Sequence, residues 1–185
     1  MEKREKSSKI VVFIVFIPFF IFFLLQILAP LALPPGSVKD LTGQTVISDS
    51  EDIINKMPQP WNFIYSAGDR LCHQKSERSF FLNDNQMPFC ARCTAIFLGF
   101  AIGIGSMMFY KIKLNLRFIL LIMISLAPIG IDGVGQILGM WESNNITRTI
   151  TGLLIGIVTG FAITIIIDEL SEMYFAKKNR KLINE

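Results

Sequence analysis

A 185-residue chain that is 51% hydrophobic and only 18% charged, with mean hydropathy +0.49, is too apolar for a soluble domain of its size. Its length leaves room for one small helical bundle and one modest extramembrane loop. The net charge of +3 does not point to nucleic acid once its carriers are located, because most of the 18 Lys and Arg flank apolar segments and serve as topology determinants.

The predicted class is therefore an all-α integral membrane protein that meets the lipid bilayer and binds no nucleic acid. Residues 1–9 are a basic N-terminus carrying Lys3, Arg4, Lys6 and Lys9. Residues 10–33 are almost wholly apolar and exceed the roughly 20 helical residues that cross a hydrocarbon core. A cleaved signal peptide competes with this reading, but its apolar region would be too long, and Ala29-Pro30-Leu31-Ala32 has the wrong spacing for a small-x-small cleavage site. An uncleaved first transmembrane helix is expected, with Pro18 as a kink and Pro34-Pro35 as its end.

Residues 34–92 turn polar and read as an extracytoplasmic loop of roughly 59 residues. Ser48-Asp49-Ser50-Glu51 supplies capping chemistry for a short helix through Met57, which Pro58 and Pro60 end. Trp61 to Gln74 reads as another helix, and its aromatics Trp61, Phe63 and Tyr65 suit either a membrane interface or the small core of the loop. Between Ser79 and Cys90 a hairpin or tight loop is expected, turning at Asn83-Asp84-Asn85-Gln86. That turn would carry Cys90 and Cys93 back toward Cys72 and His73.

Residues 94–110, 118–138 and 149–167 are the second, third and fourth membrane segments, and 168–185 a charged cytoplasmic tail. With the N-terminus inside, four crossings put the N-terminal cluster, the Lys111 to Arg117 turn and the C-terminal cluster on one side. Those clusters hold eleven of the 18 Lys and Arg. Both termini are thus expected in the cytoplasm, and the cysteine window outside the cell membrane. Gly99 and Gly103, then Gly152, Gly156 and Gly160, recur at four-residue spacing, which lets helix backbones approach within the bundle. The oligomeric state is not legible. Asn145-Ile146-Thr147 is formally a glycosylation acceptor, expected to stay unused so close to the membrane.

All three cysteines and the sole histidine fall between Cys72 and Cys93. In the first reading they form a metal site. Cys90 and Cys93 offer two thiolates on one turn, and Cys72 with His73 would complete the tetrahedral Cys3His set that zinc prefers. Adjacency makes joint binding by Cys72 and His73 awkward, so His73 would instead orient a ligand or act as an acid–base group. In the second reading the chemistry is thiol redox, since a helix beginning at Cys90-Ala91-Arg92-Cys93 lowers a thiol pKa through its dipole and Arg92. In the third, no cofactor is bound and a disulfide from Cys72 staples the loop as a structural or docking module.

Asp132 lies in the outer half of the third segment, at a cost of several kcal/mol unless it finds a partner inside the bundle. Gln136 follows one turn later on the same face, and Arg148 is the expected counter-charge. One outcome is a buried salt bridge that sets helix register; the other is a polar pocket of Gln74, Arg78, Arg92, Asp132, Gln136 and Arg148 roofed by the cysteine loop. If the chain is an enzyme, the catalytic candidates are Asp132, His73 and Arg148. The metal or His73 would activate water or substrate, and Arg78, Arg92 or Arg148 would hold a lipid or an anionic small molecule through a group such as a phosphate.

Two resemblances bear on these readings. A four-helix protein with C-x-x-C heading its second helix is similar to the quinone-linked disulfide-generating membrane proteins, but that family carries a second cysteine pair in its second outer loop, and Gly139 to Arg148 has none. The strings C-H-Q, E-R-S-F-F and Q-M-P-F-C-A-R-C-T, with P-x-x-x-D-G-x-x-Q (Pro128, Asp132, Gly133, Gln136) and S-N-N-x-x-R-x-x-T-G (Ser143 to Gly152), resemble more closely a family of small prokaryotic membrane proteins classed as a domain of unknown function. This second resemblance covers roughly Cys72 to Gly160, with Ala95 where the family pattern has glycine. It implies a multi-pass protein with signature positions at Cys72, His73, Gln74, Arg78, Ser79, Cys90, Arg92, Cys93, Asp132, Gln136 and Arg148, and it implies no activity.

Overall fold

The computed structural model describes residues 2–41, 50–110, 112 and 114–183, with side chains for those within 8–178. Ser48 and Asp49 of the expected capping run, and Lys111 and Lys113 of the basic turn, lie outside the described residues. The chain is mostly helical. Helix α1 spans Glu2–Ala32, and the short α2 (Glu51–Ile54) and α3 (Trp61–Leu71) follow in the polar region. A hairpin of β1 (Phe81–Leu82) and β2 (Asn85–Gln86) leads into α4 (Ala91–Met107), α5 (Leu116–Ile137) and α6 (Asn145–Ile183).

Three helical stretches, Ser8–Ala32, Leu116–Ile137 and Asn145–Lys178, are long and apolar enough to cross a membrane. Helix α4 is a shorter apolar helix of 17 residues, about 25 Å long at 1.5 Å per residue. Helix α6 runs on past Asp168 without a break, because the charged segment beyond it is built from good helix formers with no Gly or Pro to stop it.

The centre of the bundle is the contact between α4 and α6. A Cβ added at Gly99 would overlap the Leu153 carbonyl, one at Gly156 the Ile96 carbonyl, and one at Gly152 the Arg92 carbonyl. The two backbones therefore touch along the glycine rows, which maximises dispersion contact where lipid leaves no hydrophobic force between helices. Helix α1 packs alongside through Val12 against Phe100 and Ile104, with Phe19 edge-on to Phe100 at 4.5 Å. At the same end Ser8 donates a hydrogen bond to Asp168. Helix α5, started by the Asn115 side chain accepting the Phe118 N–H at 2.9 Å, leans on α6 where its Phe118 clusters with Ile165 and with Met107 of α4.

Helix α1 stops at Ala32, just before Pro34 and Pro35, as proline chemistry requires. The carbonyls it leaves open are taken by the hairpin. Asn85 Nδ2 reaches the Pro30 and Pro34 oxygens at 2.9 and 3.0 Å, and Asn83 Nδ2 the Leu33 oxygen at 3.0 Å. The hairpin pairs Phe81 with Gln86 and Leu82 with Asn85. Asn83 and Asp84 both adopt left-handed backbone, φ 55° and 56°, the geometry a two-residue type I′ turn demands and Asn and Asp tolerate.

Under the hairpin sits a small core of Ile54, Ile64 and Tyr65 with Ala29, Leu33, Val38 and Leu41. Of the three aromatics with two sequence readings, Tyr65 joins this core and Trp61 packs on its edge, while Phe63 is 60% exposed. The expected helix to Gln74 ends earlier, at Leu71, because Cys72 turns extended.

Candidate thiol site at the head of α4

Cys72 leaves α3 with φ −138° and ψ 147°, Cys90 occupies the cap position of α4, and Cys93 lies one turn in. What brings them together is a buried amide framework. Gln74 Nε2 donates to the Pro88 carbonyl, Gln86 Nε2 donates to the Gln74 carbonyl, and the Tyr65 hydroxyl donates to the Gln86 carbonyl at 2.7 Å. Gly68 lets this happen, since a Cβ there would overlap the Pro88 oxygen and the Gln74 amide. Gln74, expected to line the pocket, is instead fully buried in this framework and holds the Cys72 strand against the Cys90 strand. The two N–H groups of its amide serve that task, Nε2 reaching the Tyr65 carbonyl at 3.5 Å as well as that of Pro88.

The three Sγ atoms lie within 4.8 Å of one another, Cys72 and Cys93 at 3.4 Å. The Cys90 N–H also donates to Cys72 Sγ at 3.3 Å. A metal ion at about 2.3 Å from each sulfur would set tetrahedral neighbours roughly 3.8 Å apart, so the three are close enough to hold one. All three are free thiols. Phe22, Phe89 and Phe97, with ring centroids 4.8–5.7 Å apart, wall the cluster.

Proton affinity is unevenly shared. The Cys90 thiol is drawn far below its ordinary value by hydrogen bonds from Cys72 and then Cys93, against the opposing effect of burial, with help from the N–H groups of Cys93 and Arg92. Cys72, beside the Cys90 and Cys93 sulfurs and buried, is pushed up. The sulfurs thus hold their protons unequally, and a cation bound through all three would have to displace those protons.

His73, expected as a fourth ligand, is exposed, and its ring nitrogens are not among the ligand atoms gathered within 4.8 Å. Its neighbour Cys72 turns inward, and in extended backbone successive side chains point to opposite faces. His73 does line the cavity of about 160 Å³ that opens beside the sulfurs. Arg78, Arg92, Gln136 and Arg148 line the same cavity.

Asp132 is 5% exposed and its counter-charge is Arg92, which corrects the expectation of Arg148. Gln136 stands between, giving its Nε2 to Asp132 Oδ2 at 3.0 Å and accepting the Arg148 guanidinium on Oε1 at 3.3 Å. The other carboxylate oxygen accepts from the Ser143 hydroxyl and from Trp141 Nε1 at 3.4 Å. Trp141 went unnoticed in the sequence. Its indole lies over Gly135, where a Cβ would overlap it. Ser143 stood in the S-N-N string without an assigned role. Asn145 Nδ2, the atom a glycan would take, donates to the Ser79 carbonyl at 3.1 Å.

Comparison with known proteins adds a family. The profile described as Predicted membrane protein (DUF2085) matches residues 72–179. An uncharacterized protein of Methanocaldococcus jannaschii, MJ1492, is 36% identical over 111 residues, which is 56% of this chain and 70% of the relative. An uncharacterized protein of Methanothermobacter thermautotrophicus is 38% identical over 87 residues, 47% of this chain and 78% of the relative. No solved structure matches.

Proposed function

The chain belongs to the DUF2085 family of predicted membrane proteins, and on that premise we propose that it carries a zinc site of Cys72, Cys90 and Cys93 at the outer end of a four-helix bundle in the cell membrane. In this reading the shorter α4 crosses as well, as the second of four crossings, and both termini are cytoplasmic, as the distribution of Lys and Arg favours. The observation that carries the site is the gathering of three sulfurs within 4.8 Å, one of them poised as a thiolate. Three protein ligands leave a fourth position, which in zinc sites takes a water or a substrate atom. Here that position would face the arginine-lined cavity, so the metal would fix the hairpin on α4 and present its open side to whatever the arginines hold.

Metal content of the detergent-purified protein, measured by plasma mass spectrometry with a free-thiol count, tests this. About one zinc per chain in the wild type, lost in Cys90→Ser and in Cys93→Ser, is the expected result. Three reactive thiols with no metal would overturn it.

The 3.4 Å approach of Cys72 and Cys93 favours one second reading, a thiol pair oxidised to a disulfide by a quinone acceptor that takes up the two electrons and two protons. Two thiols that react only after reductant, with no metal, would select that reading.

A further inference from the structure

Arg148 is 4% exposed, and among the described residues it pairs with no carboxylate; its hydrogen-bond partner is the neutral Gln136 side chain. A guanidinium buried in a membrane bundle without a counter-charge costs several kcal/mol. Asp132 is near enough to attract it electrostatically but makes no contact with it, since the carboxylate oxygens are taken by Arg92, Gln136, Ser143 and Trp141. Two further guanidiniums, of Arg78 and Arg92, border the same cavity. The Nε atoms of both are buried and have no hydrogen-bond acceptor. Glu77 Oε1 comes no nearer to Arg78 Nε than 3.9 Å, too far for a hydrogen bond.

We infer that this cavity binds a phosphate-type oxyanion, anchored by Arg148 and flanked by Arg92 and Arg78. The inference deepens the metal reading and rests on it only for the neighbour of the anion. Three arginines, Asp132 and three thiolates around a dication leave one net positive charge. Planar guanidinium forks suit the oxygens of a phosphoryl group, and their charge-assisted bonds are the strong kind. The volume of about 160 Å³ equals the liquid share of about five waters, room for a phosphoryl group and little more. Free phosphate and a phospholipid headgroup offer the same chemistry. Both can arrive here, because the cavity sits where α4 and α6 begin and the polar region meets the bundle.

The test titrates the full chain in neutral detergent with inorganic phosphate, with a short-chain phosphatidylglycerol, and with the matching diacylglycerol lacking phosphate. Binding is read by calorimetry, and metal content is measured on the same samples. Saturable binding of phosphate, or of phosphatidylglycerol but not diacylglycerol, is expected, and which probe saturates assigns the source. Arg148→Gln should weaken it roughly ten- to a hundredfold, with Arg148→Lys between, and neither should change metal content. Because Arg148→Gln removes an uncompensated buried charge, its unliganded melting temperature should equal or exceed that of the wild type. If it fails to fold, Arg148→Lys carries the comparison. Binding that persists in wild-type protein shown to contain no metal would support the anion site while overturning the metal reading. No saturable binding of either phosphate probe, or unchanged affinity in Arg148→Gln, would overturn the anion site whatever the metal content.

Discussion

The Arg92 guanidinium in the first turn of α4 forms an ion pair with the Asp132 carboxylate in α5. Gln136, Trp141 and Ser143 complete the shell of that carboxylate. An ionised carboxylate offers about four acceptor positions, and here four side chains fill them. Asp132 therefore works as a fastener between α4, α5 and the link before α6, and it has no free lone pair with which to take a substrate proton.

Asp132→Asn should cost about 3 kcal/mol, the lower end for a broken buried pair, because Arg92 retains some contact with water. Adding Arg92→Gln should recover a large part of that loss, since the stranded charge goes with it. Reversible unfolding in mixed micelles over the double-mutant cycle measures the coupling. Near-additive losses would sink the fastener account.

At Gly68 the close approach of α3 to Pro88 and Gln74 leaves no room for a methyl group. Gly68→Ala should destabilise by about 1–3 kcal/mol and loosen the strand that carries Cys72, so affinity at the proposed zinc site should fall with stability. Wild-type metal content and unfolding midpoint in that variant would show that the amide framework does not position the thiols.

The hairpin turn predicts the opposite sign. Asp84 holds φ 56° at a cost that glycine does not bear, about 1 kcal/mol or slightly more. Asp84→Gly should raise the unfolding midpoint and leave thiol reactivity unchanged, as read by thermal melting and alkylation rates. A lower midpoint would show that the Asp84 side chain contributes more than its backbone strain costs.

Burial pushes the Tyr65 hydroxyl up from its ordinary value, and it donates to the Gln86 carbonyl. The folded state thus holds this proton more tightly than the unfolded chain does. The resulting stability is complete below about pH 10 and is lost as pH rises above it, by up to about 1.4 kcal/mol per unit. Tyr65→Phe should be about 1 kcal/mol less stable at neutral pH, with a flatter alkaline limb in a denaturation series run from pH 8 to 11.5. An identical alkaline slope in both proteins would remove Tyr65 from the account.

Much of this architecture was legible in the residues. Apolar runs with flanking Lys and Arg marked the helices, since length and hydropathy decide which segments lipid accepts. Asn83-Asp84-Asn85-Gln86 marked the turn as a run of turn formers, of which Asn83 and Asp84 make it while Asn85 and Gln86 pair in β2. The glycine rows marked a close helix contact. They could not say that α4 meets α6, because spacing specifies a face and not its partner.

The site divides along the same line. Hydrophobic length, charge placement and turn chemistry are local properties, and they were enough to bring the cysteines, the histidine and Asp132 to one end of a helical protein. Packing between distant segments settles that Gln74 clamps the loop, that His73 stays outside the thiol cluster, that Arg92 pairs with Asp132, and that Arg148 meets no carboxylate among the described residues. Those outcomes depend on which helix faces touch and at what height. That is set by backbone contact between glycines far apart in the chain, and no run of neighbouring residues encodes it.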